Sequence, residues 1–248
     1  MSPVIIITGS SRGIGAATAL LAGQRGYSVC VNYVADQIAA ESVVEAVRTG
    51  GGNAISVRAD VSQEAHVERL FDSCENSLGT PTALVNNAGI LETQMRVENM
   101  GVDRLNRVFA TNVIGPFLCI GEAVRRMSTR HGGSGGAIVN LSSGAARLGA
   151  PGEYVDYAAS KGAIDTMTIG LAKELADDGI RVNAVRAGYI YTDMHASGGE
   201  PGRVDRLKDT IPLKRGGTPE EVARAVLWLL SDEASYTTGS FLDVTGGR

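Results

Sequence analysis

A tyrosine and a lysine stand four residues apart in the segment Tyr157-Ala158-Ala159-Ser160-Lys161. Side chains at this spacing lie on one face of a helix. An ammonium beside a phenol favours the phenolate, so we expect Lys161 to lower the pKa of Tyr157 from about 10 toward neutrality. Tyr157 could then donate a proton to a carbonyl or accept one from an alcohol. The pair alone is weak support for catalysis, because many helices carry tyrosine and lysine at this spacing.

A glycine-rich segment, Thr8-Gly9-Ser10-Ser11-Arg12-Gly13-Ile14-Gly15, is a second candidate site. It follows an apolar run and opens a helical pattern. Its glycines allow a tight turn and let backbone N–H groups approach a pyrophosphate at the helix N-terminus, where the helix dipole favours anions. Similar turns also occur for packing alone, whereas a P-loop is excluded because no Gly-Lys-Ser/Thr follows. The expected ligand contacts are Gly9, Ser11, Arg12, Gly13, Ile14 and Gly15.

Short apolar, β-branched runs alternate with longer helical patterns, without a composition break or an internal repeat. This alternation predicts right-handed crossovers and a parallel sheet with helices on both faces. We expect one doubly wound α/β domain over residues 1–248 with a seven-stranded parallel sheet. The expected strands are Val4–Thr8, Val29–Tyr33, Ala54–Arg58, Ala83–Asn86, Ala137–Leu141, Arg181–Arg186 and Phe241–Val244. The expected helices are Ile14–Arg25, Ala35–Thr49, Gln63–Ser77, Val102–Arg130, Tyr154–Asp178 and Pro219–Leu230.

A polar, glycine-rich stretch from Thr192 to Gly217 follows the sixth expected strand. This position is the carboxyl edge of the sheet, where ligands bind, so we predict an irregular, glycine-hinged substrate lid at 192–217. The three histidines, His66, His131 and His195, have neither metal-ligand spacing nor a partner set for Ser–His–acid catalysis, so no metal site is expected. His195 either touches substrate or is a solvated lid residue.

The glycine spacing Gly-x-x-x-Gly-x-Gly resembles that of the short-chain dehydrogenase/reductase family. The tetrapeptide Asn86-Asn87-Ala88-Gly89 matches the family's Asn-Asn-Ala-Gly segment after the fourth strand. The resemblance covers essentially the whole chain and is greatest to the glucose-1-dehydrogenase-like and 3-oxoacyl-carrier-protein-reductase-like branches. It implies a Rossmann fold and an NAD(P)-dependent oxidoreductase that moves a hydride between nicotinamide and a carbonyl or secondary alcohol. The family's Asn–Ser–Tyr–Lys tetrad falls on Asn112, Ser143, Tyr157 and Lys161.

The resemblance also implies a role for each residue of the tetrad. Tyr157 would be the acid/base, Ser143 would polarise the substrate oxygen, and Lys161 would tune Tyr157 and bind the nicotinamide ribose. Asn112 would hold a water that links Lys161 to solvent; alternatively, it is a helix-interior polar residue that is satisfied locally. Ser142 is the competing serine, because the gap from Ser143 to Tyr157 is one residue longer than in many relatives. Further cofactor contacts implied are Asp60, Val61, Asn87, Ala88, Gly89, Ile190 and Thr192.

The end of the second expected strand bears on which cofactor is used. NAD enzymes of this fold carry a carboxylate there that would repel a 2′-phosphate, whereas this chain has Asn32 and Tyr33. Asp36 lies further on and is better interpreted as a helix cap. Arg12 could pair with the phosphate. We therefore expect a preference for NADP(H), with NAD(H) possible, and a 2′-phosphate near Arg12, Asn32 and Tyr33.

One departure from the family follows the sixth expected strand, where Ala187-Gly188 replaces Pro-Gly. Without the proline ring, the backbone φ at this position is less fixed. We therefore expect a less rigid loop there, with little effect on the chemistry.

Composition and charge bear on the expected partners and the expected cellular compartment. The chain has 23 basic and 27 acidic residues and no long like-charge run, so nucleic acid is an unexpected partner. The apolar run at Val4–Ile7 is too short for a membrane span or a signal peptide. Cys30, Cys74 and Cys119 are odd in number and widely spaced, which is typical of free buried thiols in a cytoplasmic protein.

Two alternatives remain open. A 3-oxoacyl-carrier-protein reductase would need a basic docking patch, for which Arg125, Arg126 and Arg130 are candidates, although they could equally be solvated helix charges. A non-catalytic dinucleotide-binding scaffold would use the same fold without turnover. The polar lid suits a hydroxylated substrate better than an acyl chain. The resemblance further implies a homotetramer, built partly from the two long helices.

Overall fold

Seven strands form one parallel sheet in the computed structural model, which describes residues 2–248. Their order across the sheet is β3-β2-β1-β4-β5-β6-β7. Strands β1, β2 and β4 are buried along their whole length, as expected for parallel strands covered on both faces. The strands are β1 Val4–Ile7, β2 Ser28–Tyr33, β3 Asn53–Arg58, β4 Ala83–Asn86, β5 Gly136–Ser143, β6 Ile180–Ala187 and β7 Phe241–Val244. The expected fold class is therefore confirmed.

Helices cover both faces of the sheet. The longer ones are α1 Gly13–Gln24, α2 Gln37–Thr49, α3 Glu64–Leu78, α4 Val102–Phe109, α5 Gly115–Met127, α7 Val155–Glu174 and α10 Pro219–Leu230, and the short ones are α6 Ala145–Leu148, α8 Met194–Ser197 and α9 Arg203–Leu207. Alternate residues of β1 show the two layers: Ile5 and Ile7 pack in a core with α1, α2 and α10, whereas Val4 and Ile6 pack in a core with α3, α5 and α7.

The strand order reverses at β1. This strand pairs with β2 on one side and with β4 on the other, and Ile7 aligns with both Val31 and Val85. The connections that leave the carboxyl ends of β1 and β4 therefore separate to opposite faces and open a crevice, which is where doubly wound sheets bind ligands.

The long helix expected over Val102–Arg130 is interrupted, which corrects that prediction. A π-helical turn at Ala110–Ile114 separates α4 from α5, and a short 3₁₀ turn follows α5. A π turn inside a helix is often found at a functional site. The stretch Val102–Met127 is long and apolar enough to cross a membrane by length and composition alone. Here it packs as a core element: Gly115 lies so close to Val61 that an added Cβ would be 2.8 Å from the valine Cγ2.

Candidate active site

The glycine-rich loop forms an open cradle at the start of α1. Gly9 and Gly13 have φ values of +60° and +57°, and a Cβ on Gly9 would lie 2.9 Å from the Cα of Ala88. The first turn of α1 has no acidic residue and no side-chain cap at Arg12, so its N–H groups are free for an anion. A Cβ on Gly15 would lie 2.6 Å from the Gly9 carbonyl oxygen. These features fit a dinucleotide pyrophosphate.

The Asn86–Gly89 segment is hydrogen-bonded to the start of the glycine-rich loop. The Thr8 hydroxyl accepts hydrogen bonds from the backbone N–H groups of Asn87 and Ala88, both at 3.0 Å. The Asn87 amide donates to the carbonyls of Thr8 and Gly9 at 2.9 Å. The side chain of Asn87 therefore fixes the shape of the cradle. Gly89 lies close to the catalytic candidates, since an added Cβ would be 3.7 Å from Nζ of Lys161.

Asn32 and Tyr33 do not face the position expected for a 2′-phosphate, which corrects the sequence prediction. Asn32 is buried; its Oδ1 accepts from Gly9 N at 3.0 Å and its Nδ2 donates to the Ala59 carbonyl at 2.9 Å. Tyr33 is buried in the core against α1 and α2, because residues alternate in direction along β2. Asn32 therefore braces the glycine loop, and Tyr33 serves the core.

Two exposed guanidinium groups occupy this edge of the sheet instead. Arg12 precedes α1, and Arg58 ends β3, where its Nε donates to the Val34 carbonyl at 3.0 Å. Neither arginine pairs with a carboxylate among residues 2–248. Asp36 caps α2 by accepting from Ala39 N at 2.9 Å, as expected from the sequence. Sequence reasoning missed Arg58, although its place at the end of a strand beside β2 could have been found by aligning the strands.

Asp60 and Val61 follow β3 and lie beside the π turn. Oδ1 of Asp60 accepts from the backbone and hydroxyl of Ser62 at 3.0 and 2.8 Å, and the Asp60 N–H donates to Nδ1 of His66 at 3.3 Å. Val61 is buried. These hydrogen bonds fix the shape of the turn after β3. The buried side chain of Val61 contributes to packing.

Ser143 and Tyr157 meet at the carboxyl end of β5. The Ser143 hydroxyl accepts from Ala145 N at 3.1 Å and donates to the Ala187 carbonyl at 3.4 Å, and both Ser143 and Tyr157 line the same cavity. Burial raises the pKa of Tyr157 to about 12, and the neighbouring Ser143 hydroxyl offsets part of that rise. This differs from the expected fall toward neutrality, because desolvation of the phenolate outweighs the effect of the Ser143 hydroxyl.

Ser142 points away from this site. It is buried, and its hydroxyl donates to Oδ1 of Asp165 at 2.6 Å. Asp165 is held in turn by Arg186, whose Nε and Nη2 lie 2.9 Å from Oδ2. Of the two candidate serines, the structure therefore brings Ser143 to Tyr157, and it places Ser142 in a separate ionic cluster.

Lys161 lies one helical turn beyond Tyr157, with Nζ 5.6 Å from the centre of the tyrosine ring. Nζ donates to the Leu141 carbonyl at 2.6 Å. Burial lowers the pKa of Lys161 to about 8, while the carboxylate of Asp165 opposes the shift. The ammonium is thus near the midpoint of its titration at mildly alkaline pH.

Asn112 occupies the centre of the π turn. Its Oδ1 accepts from Ile90 N at 2.8 Å, and its Nδ2 donates to the Ile90 carbonyl at 3.0 Å and to the Ser160 hydroxyl at 3.1 Å. The side chain is therefore occupied by protein groups, and it joins the segment after β4 to the helix that carries Tyr157. This matches the alternative of a locally satisfied polar residue, and the expected water beside Lys161 stays a prediction.

The Ala187-Gly188 loop is hydrogen-bonded to neighbouring segments. Gly188 N donates to the Val244 carbonyl and Gly144 N donates to the Ala187 carbonyl, both at 2.9 Å. A Cβ on Gly188 would also lie 2.7 Å from the Cα of Thr245. One of these hydrogen bonds joins the loop to β7 and the other joins it to the residue after β5. The expected lower rigidity of the loop stays a prediction. Ile190 is buried, and Thr192 lies next to Gly13 of the cradle.

The stretch 192–217 is more ordered in structure than the sequence suggested. It contains α8 and α9 and is joined to the β5–α7 loop by Arg203, which pairs with Glu153 and, at 3.0 Å, with Glu200. Two of its glycines are tightly packed: a Cβ would lie 2.8 Å from Leu91 at Gly198 and 2.3 Å from Val204 at Gly216. These glycines serve close packing rather than hinge freedom.

A cavity of about 470 Å³ lies between this stretch and the tetrad residues. Its volume is typical of a site for a small ligand. The lining combines the candidate catalytic side chains with apolar residues and with charged residues from 192–217, from the loop before α7 and from the segment after β7. Its residues include Leu91, Ser143, Leu148, Glu153, Tyr154, Tyr157, Lys161, Tyr189, Ile190, Thr192, Met194, His195, Arg203, Leu207 and Arg248.

Fold and site together define a dinucleotide-dependent oxidoreductase of the doubly wound α/β class, and comparison with known proteins agrees. A family model described as enoyl-(acyl carrier protein) reductase matches residues 9–248. The chain belongs to the short-chain dehydrogenase/reductase family, which uses a nicotinamide dinucleotide.

Three relatives illustrate this membership. The chain is 60% identical to the uncharacterized oxidoreductase YgfF of Escherichia coli, with 99% of each chain covered. It is 41% identical to glucose 1-dehydrogenase 2 of Bacillus subtilis, over 98% of this chain and 93% of that one. A mutant short-chain dehydrogenase/reductase from Serratia marcescens superimposes with a TM-score of 0.90 at 35% identity, over 99% and 97% of the two chains.

Proposed function

We propose that the protein is an NADP(H)-dependent reductase of carbonyl compounds, or dehydrogenase of secondary alcohols, with Tyr157 as its acid/base. The observation that carries the proposal is the meeting of Ser143, Tyr157 and Lys161 at one wall of the cavity. When bound, the nicotinamide supplies or accepts a hydride. The cradle at Gly9–Gly15, together with Ile190 and Thr192, would hold the dinucleotide.

The side chains of the tetrad orient the substrate and transfer the proton. The Ser143 hydroxyl donates to the substrate oxygen and keeps it beside Tyr157. Tyr157 is protonated at neutral pH, because burial raises its pKa to about 12, so it is set to give its proton to a carbonyl oxygen as that oxygen gains charge. The Lys161 ammonium stabilises the phenolate that remains. Asn112 is a positioning residue that fixes the distance between the post-β4 segment and α7.

The preference for NADP(H) is supported by charge at the edge of the sheet. Arg12 and Arg58 are exposed there, and the carboxylate of Asp36 is engaged as a helix cap. A guanidinium is well suited to a phosphate, because it offers several donors in a fixed plane. We assign the 2′-phosphate contact to these two arginines, in place of Asn32 and Tyr33.

We also propose that the protein forms a homotetramer in the cytoplasm. The support is an apolar outer face on the long helical stretch, where Val102, Ile114 and Phe117 are 67%, 51% and 50% exposed. Exposed apolar patches of this kind mark protein–protein contacts. The three cysteines are buried and unpaired, as expected for a reducing compartment.

Reduction of a 3-oxoacyl group on a carrier protein is the alternative function, and the structure weakens its main support. The expected basic patch is largely neutralised. Arg126 pairs with Asp72 at 2.6 Å and with Glu122, while Arg130 lies 3.3 Å from Asp178. A small free substrate is therefore favoured over one delivered by an acidic protein.

The decisive experiment is steady-state oxidation of NADPH with a panel of sugars, ketones and 3-oxoacyl thioesters. Tyr157→Phe should lower kcat by about 10²–10⁴-fold, because the proton donor is lost, and should leave the Kd for NADPH nearly unchanged. Ser142→Ala is the matched control and should have a smaller effect than Ser143→Ala. A Tyr157→Phe enzyme that kept more than about a tenth of the wild-type rate would refute the assignment; binding of NADPH without turnover of any substrate would favour the scaffold alternative.

A further inference from the structure

Among the side chains that line the cavity, basic groups outnumber acidic ones. Glu153 is its single lining carboxylate among residues 2–248, and this carboxylate is paired with Arg203. Arg203 is also held by Glu200 and stacks over the ring of Tyr154 at 4.8 Å. The Arg203 guanidinium is therefore fully committed to holding the 192–217 stretch in place.

Arg248 is differently placed. Its guanidinium lies over the ring of Tyr189, 4.9 Å from the ring centre, and its Nη1 donates a long hydrogen bond of 3.4 Å to the hydroxyl of Thr210. No carboxylate side chain among residues 2–248 lies within ion-pairing distance of it. A cation held against an aromatic wall, with most of its donors unused, is a ready partner for an anion.

A second polar group in the cavity lacks a partner. Nδ1 of His195 is buried and makes no hydrogen bond within residues 2–248. A buried polar atom without a partner costs free energy unless a ligand or water satisfies it. His195 and Arg248 both line the cavity that contains Tyr157, so a single small molecule could reach all three.

We propose that the natural substrate is a small carbonyl or hydroxy compound with an anionic group, a carboxylate or a phosphate, that Arg248 binds while the reacting oxygen lies at Tyr157. This inference rests on the proposed function. It adds a class of substrate to it: polar, negatively charged and small enough for a cavity of about 470 Å³. Leu148 and Leu207, which also line the cavity, would pack against the carbon chain between the two ends.

The test compares pairs of substrates with and without an anionic group. Linear methyl-ketone carboxylates of increasing chain length are assayed against their methyl esters, and dihydroxyacetone phosphate is assayed against dihydroxyacetone. We expect at least one anionic compound to exceed its neutral partner by about 10–150-fold in kcat/KM, the range of a charge-assisted hydrogen bond. The two arms show whether the anion is a carboxylate or a phosphate.

Three variants test whether Arg248 is responsible for the preference for anionic substrates. Arg248→Met should abolish the preference for the anion without changing the Kd for NADPH, and Arg248→Lys should keep part of it. Arg25→Met, which removes an exposed arginine after α1 at the opposite edge of the sheet, should keep all of it. Equal turnover of charged and neutral partners by the wild type would overturn the inference while leaving the proposed function intact, and so would a preference that survives in Arg248→Met.

Calorimetry gives a readout that does not depend on turnover. The same anionic compounds and their neutral partners are titrated into the NADPH-loaded protein. Binding of the anion alone, lost in Arg248→Met, would support the inference even for compounds that are not reduced. Absence of both turnover and binding for every anionic compound would overturn it.

Discussion

At the scale of single residues, burial determines the protonation states of Tyr157 and Lys161. Burial raises the pKa of Tyr157 to about 12 and lowers that of Lys161 to about 8. Both shifts favour the neutral form of the side chain. The tyrosine therefore keeps its proton throughout the physiological range, and Lys161 is the group whose charge changes first as the pH rises.

The pKa values of Tyr157 and Lys161 predict how the activity changes at alkaline pH. The kcat/KM for carbonyl reduction should fall above about pH 8, as Lys161 loses its charge. Asp165→Asn removes a carboxylate that raises the pKa of Lys161, so the fall should begin at a lower pH. Asp243→Asn is the control, because Asp243 also pairs with Arg186, at 3.6 Å, but lies on β7. An unchanged profile in Asp165→Asn would remove Lys161 as its source.

The same shift contributes to stability, with a definite sign. Between pH 8 and the ordinary lysine value of 10.5, the unfolded chain holds a proton at Lys161 that the folded protein releases. The contribution of this group to the free energy of unfolding therefore rises with pH across that interval.

The proposed preference for NADP(H) can also be tested at single residues. Arg58→Gln should weaken NADPH binding by about 10–150-fold through loss of a charge-assisted contact, and should change NADH binding much less. Val34→Asp should go further, since Val34 is 51% exposed directly after β2 and an aspartate there would repel the phosphate. The readout is the Kd of each cofactor at fixed salt.

A matched control separates the specific contact from general charge. Arg69 on α3 donates to the backbone carbonyl of Arg58 at 3.2 Å, so Arg69→Gln removes a neighbouring positive charge and keeps the Arg58 side chain. It should leave the ratio of the two dissociation constants nearly unchanged. Wild-type protein that bound NADH as tightly as NADPH would refute the preference.

At the scale of elements, the stretch 192–217 borders the cavity and is tied to the loop before α7 by polar contacts. Arg203 joins α9 to Glu153 in the loop before α7, and the Tyr154 hydroxyl donates to the Gly198 carbonyl at 3.2 Å. Elements held by a few polar contacts open at low free-energy cost. We therefore keep the prediction that this stretch acts as a lid.

Hydrogen exchange tests the lid. Backbone amides in 192–217 should exchange more slowly when NADPH and a substrate are present together, because ligands bridge the lid to the tetrad wall. Arg203→Met should speed exchange in the free protein, whereas amides of α10 should be unaffected in both experiments. Equal exchange with and without saturating ligands would exclude lid closure.

At the scale of the whole molecule, hydrophobic patterning was enough to predict the architecture. All seven expected strands form, and α10 begins at Pro219 with Thr218 as its N-cap and the capping box to Glu221 that its sequence indicates. Patterning could not reveal the π turn at Ala110–Ile114, because a single extra residue in a helical turn barely alters the spacing of apolar side chains. Ser143, Tyr157 and Lys161 line the cavity and Asn112 lies in the π turn, while the roles that the family resemblance implies for them stay predictions.

What the sequence could not predict depends on contacts between distant segments. Asn32 was expected at the cofactor, but it bonds to Gly9 and Ala59 instead. Strand alignment places Arg58 at the sheet edge beside β2, and the return of β7 beside β6 brings Arg248 to the cavity. Likewise, the raised pKa of Tyr157 follows from its burial, which no local motif encodes.

The bond between Gly188 and Val244 constrains how the protein matures on the ribosome. Strands β1 to β3 and the cradle they carry are translated early, and β4 follows soon after. The loop that bears Ile190 and Thr192, which we assign to the dinucleotide, gains its bond to β7 only when Val244 has been added and β7 has paired with β6. Because nascent chains emerge from the N-terminus, the glycine cradle is made while this loop still lacks that bond. A growing chain is therefore expected to acquire its full affinity for the cofactor only when the seventh strand has been added.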